Sequence, residues 1–378
     1  MSVKRILFLT GTRADYGKLK PLMRAVEDAT EFECQIFITG MHTLKKYGYT
    51  AIEVSKDGFT NQFVYMNQHH QQPMEEILAN TITGLSRYLH ENRPDLLVVH
   101  GDRVEALAGA IVGSINNVPV AHIEGGEKSG TIDEHIRHAV TKMSHIHFVC
   151  NEEAKRRLLQ MGEDENHIYD IGSPDIDVML DDAALPSLSD VIKRYEIPFS
   201  NYGILLYHPV TTDLDNLDRY VKNLVGAVKL SGKNFIVIYP NNDEGSLIIQ
   251  SAYNELLRDS RFKVYPSIKF EYFLSLLKNC AMILGNSSAG IREAPVYGVP
   301  SINIGNRQSG RAASRFVRNV NHDVDEIRDA ICNAKRFDDE KDIFVSSFGR
   351  GDSVTGFLSA IGDPVFWKVN IQKAFVDK

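Results

Sequence analysis

A chain of 378 residues exceeds what one hydrophobic core commonly supports, so two domains are the starting expectation. Hydrophobic residues at 43% and charged residues at 24% are ordinary globular values, and the net charge of −7 comes with Lys and Arg scattered along the chain, which argues against a nucleic-acid partner. Cys34, Cys150, Cys280 and Cys332 lie far apart without a CxxC pair, so neither a zinc ribbon nor a disulfide framework is expected. The apolar run at the N-terminus is too short for a signal peptide, and no stretch approaches the roughly 20 apolar residues of a membrane span. A cytoplasmic protein with no membrane partner is the reading that follows.

Short apolar runs alternate with longer amphipathic stretches, the pattern of repeated βα units. In chain order, strands are predicted over 5–10, 33–39, 62–66, 95–100, 118–123, 146–150 and 167–171, with helices over 16–28, 74–92 and 152–161 among them. Ile171-Gly172-Ser173-Pro174 closes this set, and the polar segment 175–200 reads as a hinge. A second set follows, with strands over 203–207, 234–239, 262–265, 281–284 and 300–304. The expected architecture is α/β, two Rossmann-like domains with parallel sheets and the active site in the cleft that separates them. The boundaries are 1–174 for the first domain, 201–362 for the second, and 363–378 as a C-terminal helix crossing back to the first, with Trp367 packing there.

Several strand ends carry chemistry. Gly11-Thr12-Arg13-Ala14-Asp15-Tyr16-Gly17-Lys18 follows the first strand but departs from Walker A spacing and lacks Ser or Thr after the lysine, so a kinase reading is weak. It still offers backbone N–H groups, a helix start and the Arg13 guanidinium to an anion, although Arg13 alone could as well be an ordinary surface residue. Buried strands deliver His100-Gly101-Asp102-Arg103 and His122-Ile123-Glu124-Gly125-Gly126-Glu127, and Asp133 follows the turn Ser129-Gly130-Thr131 near a helix start. Ligands of open parallel sheets bind beyond the carboxyl ends of the strands, and clustered carboxylates shift one another's proton affinity, so Asp102, Glu124 and Asp133 are candidates for acid and base work. His135, His138, His145 and His147 lack metal-site spacing, and no metal is expected.

In the second set, Tyr207-His208-Pro209 and Tyr239-Pro240-Asn241 end two strands alike, which suggests one ligand surface. Leu284-Gly285-Asn286-Ser287-Ser288-Ala289-Gly290-Ile291-Arg292-Glu293 reads as a strand, a small-residue turn and a helix starting near Ala289, its positive end toward a phosphate, with Glu293 placed to accept from ribose hydroxyls. Simple helix capping by Ser287 is the bland alternative. Arg307 and Arg311 could clamp a diphosphate or lie in a solvated loop. Near the end, Phe348-Gly349-Arg350-Gly351-Asp352-Ser353 places two glycines before a short helix; its Arg-Gly-Asp tripeptide reads as a chance match to a cell-adhesion motif.

Taken together, these segments, with Pro209-Val210-Thr211-Thr212 after His208, resemble the hydrolysing UDP-N-acetylglucosamine 2-epimerases of the bacterial sialic acid pathway over nearly the whole chain. Ala14-Asp15 and Arg103 stand where the non-hydrolysing relatives carry Pro-Glu and Thr, which favours the hydrolysing branch. The resemblance implies the glycosyltransferase B type of fold, with UDP held mainly by the second domain. By matching motif it implies Asp102, Glu124 and Asp133 as catalytic acids, and Arg13, Arg103, His208, Asn241, Ser287, Ser288, Gly290, Glu293 and Arg307 as the residues binding UDP-N-acetylglucosamine. It implies no cofactor and a homodimer or homotetramer. The implied reaction gives N-acetylmannosamine and UDP by elimination to a 2-acetamidoglucal and then hydration. The same reaction on nucleotide-linked 2,4-diacetamido-2,4,6-trideoxyglucose, a UDP-sugar glycosyltransferase and a nucleotide-sugar binding protein without turnover are the alternatives.

Overall fold

The computed structural model describes residues 3–70, 72–129, 132–308, 315–337, 348–374 and 376. The chain divides into two compact units, one of Met1–Glu127, Asp133–Leu180 and Ser347–Lys378, the other of Lys128–Ile132 and Asp181–Ser346.

In the first unit, strands β1 (Lys4–Thr10), β2 (Phe32–Ile38), β3 (Gln62–Val64), β4 (Leu96–His100), β5 (Val120–Ile123), β6 (Ile146–Val149) and β7 (Ile168–Asp170) form a parallel sheet in the order β3-β2-β1-β4-β5-β6-β7. Helices cover both faces of such a sheet, which is why Ile6-Leu7-Phe8-Leu9 and Leu96-Leu97-Val98-Val99 are apolar without alternation and buried throughout. The strand order reverses between β1 and β4, so the loops after Thr10 and His100 leave the sheet beside the switch point where such folds bind ligands.

The second unit repeats the plan. Strands β8 (Gly203–Leu206), β9 (Phe235–Ile238), β10 (Phe262–Tyr265), β11 (Met282–Gly285), β12 (Ser301–Ile304) and β13 (Val317–Val320) lie parallel in the order β10-β9-β8-β11-β12-β13. Its switch point falls between β8 and β11, beside His208 and Asn286. Strand β13 has no counterpart in the sequence reading: it is an edge strand of sequence Val-Arg-Asn-Val with three of its four residues not buried, so it lacks the apolar run that marks a central strand.

The C-terminal assignment needs correction. The helix Ser353–Gly362 belongs to the first unit and not the second, because Phe357 and Ile361 are fully buried in the core that contains Ile6, Phe8 and Phe148. The Phe357 ring lies 4.9 Å from that of Phe148 and 6.4 Å from that of Phe8. Its N-terminus is fixed by Asp177, which accepts from Ser353 N at 3.2 Å, Ser353 Oγ at 2.8 Å and Val354 N at 3.1 Å. Beyond it, the described residues of 364–376 hold no second α-helix, only a 3-10 turn, Phe366–Lys368, in which Trp367 stacks on Phe32 at 6.3 Å and donates Nε1–H to Ile361 O at 2.7 Å. The segment expected as a hinge contains the boundary of the two units, at Leu180, and carries two helices, Pro174–Leu180 in the first unit and Leu188–Arg194 in the second. Ser187 caps the latter, its Oγ accepting from Asp190 N at 3.2 Å.

Candidate active site

At the carboxyl end of β1 the helix Arg13–Asp28 begins with a capping box: Thr12 Oγ1 accepts from Asp15 N at 3.2 Å, and Asp15 accepts from Thr12 N at 2.9 Å. Asp15 also accepts from Gly11 N at 3.0 Å and from Thr10 Oγ1 at 2.7 Å. The Gly11 and Thr12 amides therefore serve the chain's own carboxylate. Arg13 is not an idle surface residue, since its guanidinium forks onto Glu53, Nε to Oε2 at 3.0 Å. Behind the loop His42 is fully buried, its ring against Thr10 and Thr50, and burial lowers its pKa to about 4, which keeps it neutral.

Strands β4 and β5 bring two of the three candidate acids to neighbouring positions at the sheet end. Asp102 follows Gly101, whose φ of +72° makes the turn out of β4. Glu124 leaves β5 with a φ of +64°, a left-handed backbone that an ordinary side chain seldom adopts and that costs about 1 kcal/mol. Its buried carboxylate accepts from Ser173 Oγ at 2.8 Å, and His100 Nε2 lies 3.3 Å from its other oxygen. Between them, His122 secures the turns: Nε2–H donates to the Gly101 carbonyl at 2.8 Å, so Nδ1 accepts from Thr141 Oγ1 at 3.1 Å. Burial outweighs that carbonyl and drops the His122 pKa to about 3, so the ring stays neutral and keeps this tautomer.

Asp133 stands in the first turn of the helix Ile132–Met143. One turn later on that helix comes Arg137, which sequence reasoning passed over. It is buried, its Nη2 pairs with the Asp102 carboxylate, and its Nη1 donates to the Glu124 main-chain oxygen at 2.6 Å. Spacing of four residues puts Asp133 and Arg137 on one helix face, the one signal that could have drawn attention to it. Arg103, the residue before the helix Val104–Ile115, has its Nε 3.4 Å from the buried Glu105.

The second unit assembles its candidates around Asn286, at the end of β11. Asn286 accepts from His208 N at 2.7 Å and donates to His208 O at 2.9 Å. Its own carbonyl accepts from Arg307 Nη1 at 3.2 Å and Gln308 Nε2 at 2.7 Å. His208 Nδ1 accepts from Asn241 N at 3.2 Å, which leaves Nε2 as the protonated nitrogen of the neutral ring, and the Asn241 side chain donates to Asp243. His208, Asn241 and Arg307 are thus joined by hydrogen bonds at the strand ends, through the His208 ring and Asn286. Gly285 is obligatory there: at φ +138° an added Cβ would sit 2.0 Å from the Leu206 carbonyl oxygen. Gly290 lets the next turn approach β12, where a Cβ would meet Ser301 Oγ at 2.3 Å.

No long helix starts at Ala289. The chain makes one 3-10 turn, Ser288–Gly290, and then a four-residue helix, Glu293–Val296, that Pro295 and Gly298 keep short, so little dipole accumulates there. Ser287 Oγ caps that turn, accepting from Ala289 N at 3.3 Å, as the bland reading had it. Glu293 is buried at the start of the short helix. Arg311, Gly130 and Thr131 lie outside the described residues. Of the singled-out histidines, His147 Nε2 pairs with Glu163 at 2.9 Å and His138 with Glu134 at 3.0 Å. No helix among the described residues is long and apolar enough to cross a membrane.

Residues 24–362 match the family model described as UDP-N-acetylglucosamine 2-epimerase. The chain belongs to that family. It is 47% identical over 383 aligned positions to the UDP-N-acetylglucosamine 2-epimerase of Neisseria meningitidis serogroup B, with 99% of each chain covered. A Legionella pneumophila relative named a hydrolyzing UDP-N,N'-diacetylbacillosamine 2-epimerase is 33% identical, with 88% of each covered. The Methanocaldococcus jannaschii UDP-GlcNAc 2-epimerase, solved in complex with UDP-GlcNAc and UDP, superposes with a TM-score of 0.79 at 22% identity, covering 95% of this chain and 99% of that one. The fold is accordingly the glycosyltransferase-B-like pair of parallel-sheet domains typical of the family's solved members.

Proposed function

We propose that this enzyme is a hydrolysing 2-epimerase that converts UDP-N-acetylglucosamine and water to N-acetylmannosamine and UDP, supplying the amino sugar from which sialic acids are built. What supports the reading is that Arg137 bridges Asp102 and the Glu124 turn at neighbouring strand ends of the first unit, with Asp133 one turn earlier on the Arg137 helix.

The C2 proton of N-acetylglucosamine is next to no carbonyl, so direct deprotonation would leave an unstabilised carbanion. Elimination avoids this. A carboxylate takes the C2 proton, those electrons form the C1–C2 double bond, and the C1–O bond breaks with its electron pair leaving on UDP. A carboxylate then removes a proton from water as its oxygen bonds to C1, and a carboxylic acid returns a proton to the opposite face of C2. The three acids supply base and acid in both steps. Arg13, Arg103 and Arg307 serve the leaving diphosphate, and Glu293 the ribose. In the second unit, His208, whose Nδ1 accepts from Asn241 N, belongs to the nucleotide side of the reaction.

The test is incubation with UDP-N-acetylglucosamine in D2O and no acceptor. Free UDP with N-acetylmannosamine deuterated at C2 is expected. UDP-N-acetylmannosamine as product would place the enzyme in the non-hydrolysing branch, and absence of turnover would refute the reading. Amide variants at Asp102, Glu124 and Asp133 should lose turnover and keep UDP binding; wild-type-like turnover in all three would sink the assignment. The 33% identity to a diacetylbacillosamine epimerase favours one second reading, the same chemistry on a nucleotide-linked 2,4-diacetamido-2,4,6-trideoxyglucose, and assaying both sugars side by side separates them.

A further inference from the structure

We infer that Arg137 is a positioning residue that sets the three acids of the first unit in register for the proposed reaction, holding Asp102, the Glu124 turn and the Asp133 helix with a single guanidinium. The inference rests on the epimerase reading above and deepens it.

The geometry is specific. Nη1 and Nη2 of one rigid planar group reach two partners of different kinds: the Glu124 carbonyl at 2.6 Å, after β5, and the Asp102 carboxylate, after β4. The strands are neighbours, pairing His100 with Ile123, so the guanidinium bridges adjacent strand ends. Its Cα is fixed one turn along the helix that begins with Asp133, which places that acid relative to the other two. The carbonyl it holds belongs to the residue with φ +64°, and a donor on that oxygen fixes a peptide that would otherwise relax toward ordinary backbone. The bond thus determines where the Glu124 carboxylate starts from, and Ser173 determines where it ends.

A purely structural ion pair makes a different prediction. Replacing a buried pair's cation with an apolar side chain of similar length affects stability, and kinetics only as far as the fold is lost. A positioning role instead concentrates the loss in kcat, because a displacement of about 1 Å costs roughly 100-fold in rate with substrate still bound. Lysine cannot substitute, as it has no fork to reach both partners.

The test uses Arg137→Met and Arg137→Lys in the full-length protein, with UDP affinity by calorimetry and steady-state turnover of UDP-N-acetylglucosamine. Expected are kcat losses of roughly 100-fold for Met and at least roughly tenfold for Lys, with KM and UDP affinity within about threefold of wild type. Added guanidinium ion should restore part of the Met variant's kcat and leave the wild type unchanged. Wild-type kcat in the lysine variant, or a loss in the Met variant that guanidinium does not rescue and that parallels lost UDP binding, overturns the role of Arg137. A wild-type protein that releases no UDP from this substrate refutes the reaction reading, and the inference with it. Normal wild-type turnover with unperturbed variants refutes the inference alone.

Discussion

Truncating Phe357 to alanine tests which core the C-terminal helix completes. The ring is fully buried, 4.9 Å from Phe148 on β6 and 6.4 Å from Phe8 on β1, so its removal leaves a cavity lined by aromatic side chains of the first unit. Burying a phenylalanine and then deleting it costs about 3–5 kcal/mol, a large share of the roughly 5–15 kcal/mol that holds a domain folded. At about 1.4 kcal/mol per tenfold, opening of the first unit becomes on the order of a hundred- to several-thousandfold more frequent. Hydrogen exchange read by mass spectrometry reports this strand by strand. Peptides covering β1 and β6 should lose protection by that factor, while those covering β8 and β11 keep theirs. Loss of protection centred on β8 and β11, with β1 and β6 unmoved, would return the helix to the second unit and refute the packing argument.

Three further outcomes are expected. Burial alone would raise the Glu163 carboxyl, but the His147 ring, Lys373 and Lys142 outweigh it and hold it at about 2. Because the folded value lies below the unfolded one, that stability is present above the unfolded pKa and lost as pH falls through the folded one: urea unfolding should weaken from about pH 5 to pH 2 by about 3 kcal/mol, and Glu163→Gln should remove the slope. Gly285→Ala forces a Cβ to within 2.0 Å of the Leu206 carbonyl, so UDP binding by calorimetry should be lost, and an unaltered affinity would contradict the account of that turn. Ser173→Ala deletes the hydroxyl 2.8 Å from Glu124 and leaves UDP affinity intact, with kcat expected to fall by about tenfold or more, corresponding to about 1.5–3 kcal/mol for a hydrogen bond to a charged group.

The sheets were legible because their strands are covered on both faces: Leu96-Leu97-Val98-Val99 or Ile283-Leu284 can hardly be anything else between polar turns, and strand ends are where a parallel fold keeps its chemistry. Edge strand β13 escaped for the converse reason. The apolar period of Ser353–Gly362 announces a buried face without saying which core receives it; only Phe148 and Asp177, far away in the chain, decide that. The strand-end placement of Asp102 and Glu124 was readable from position. Arg137 was not, since a buried arginine is rare and looks in sequence like any helix-surface cation. Nor could spacing reveal that Asp15 claims the amides of Gly11 and Thr12, because that depends on the rotamer of one side chain.

The crossing of Gly172 and Gly349 carries a consequence for how the protein is made. Ser173, the partner of Glu124, donates its N–H to Phe348 O at 2.8 Å, and a side chain on either glycine would collide with the other's backbone. During synthesis, the first sheet therefore leaves the ribosome lacking both Phe357 and this clasp on Ser173. The second unit, whose sheet is complete at Val320, is free to fold before the first one closes. A chain ending shortly before Phe348 would hold every strand of the second sheet but a first unit without Phe357 and without the clasp on Ser173, so the first unit closes only once the helix Ser353–Gly362 is present.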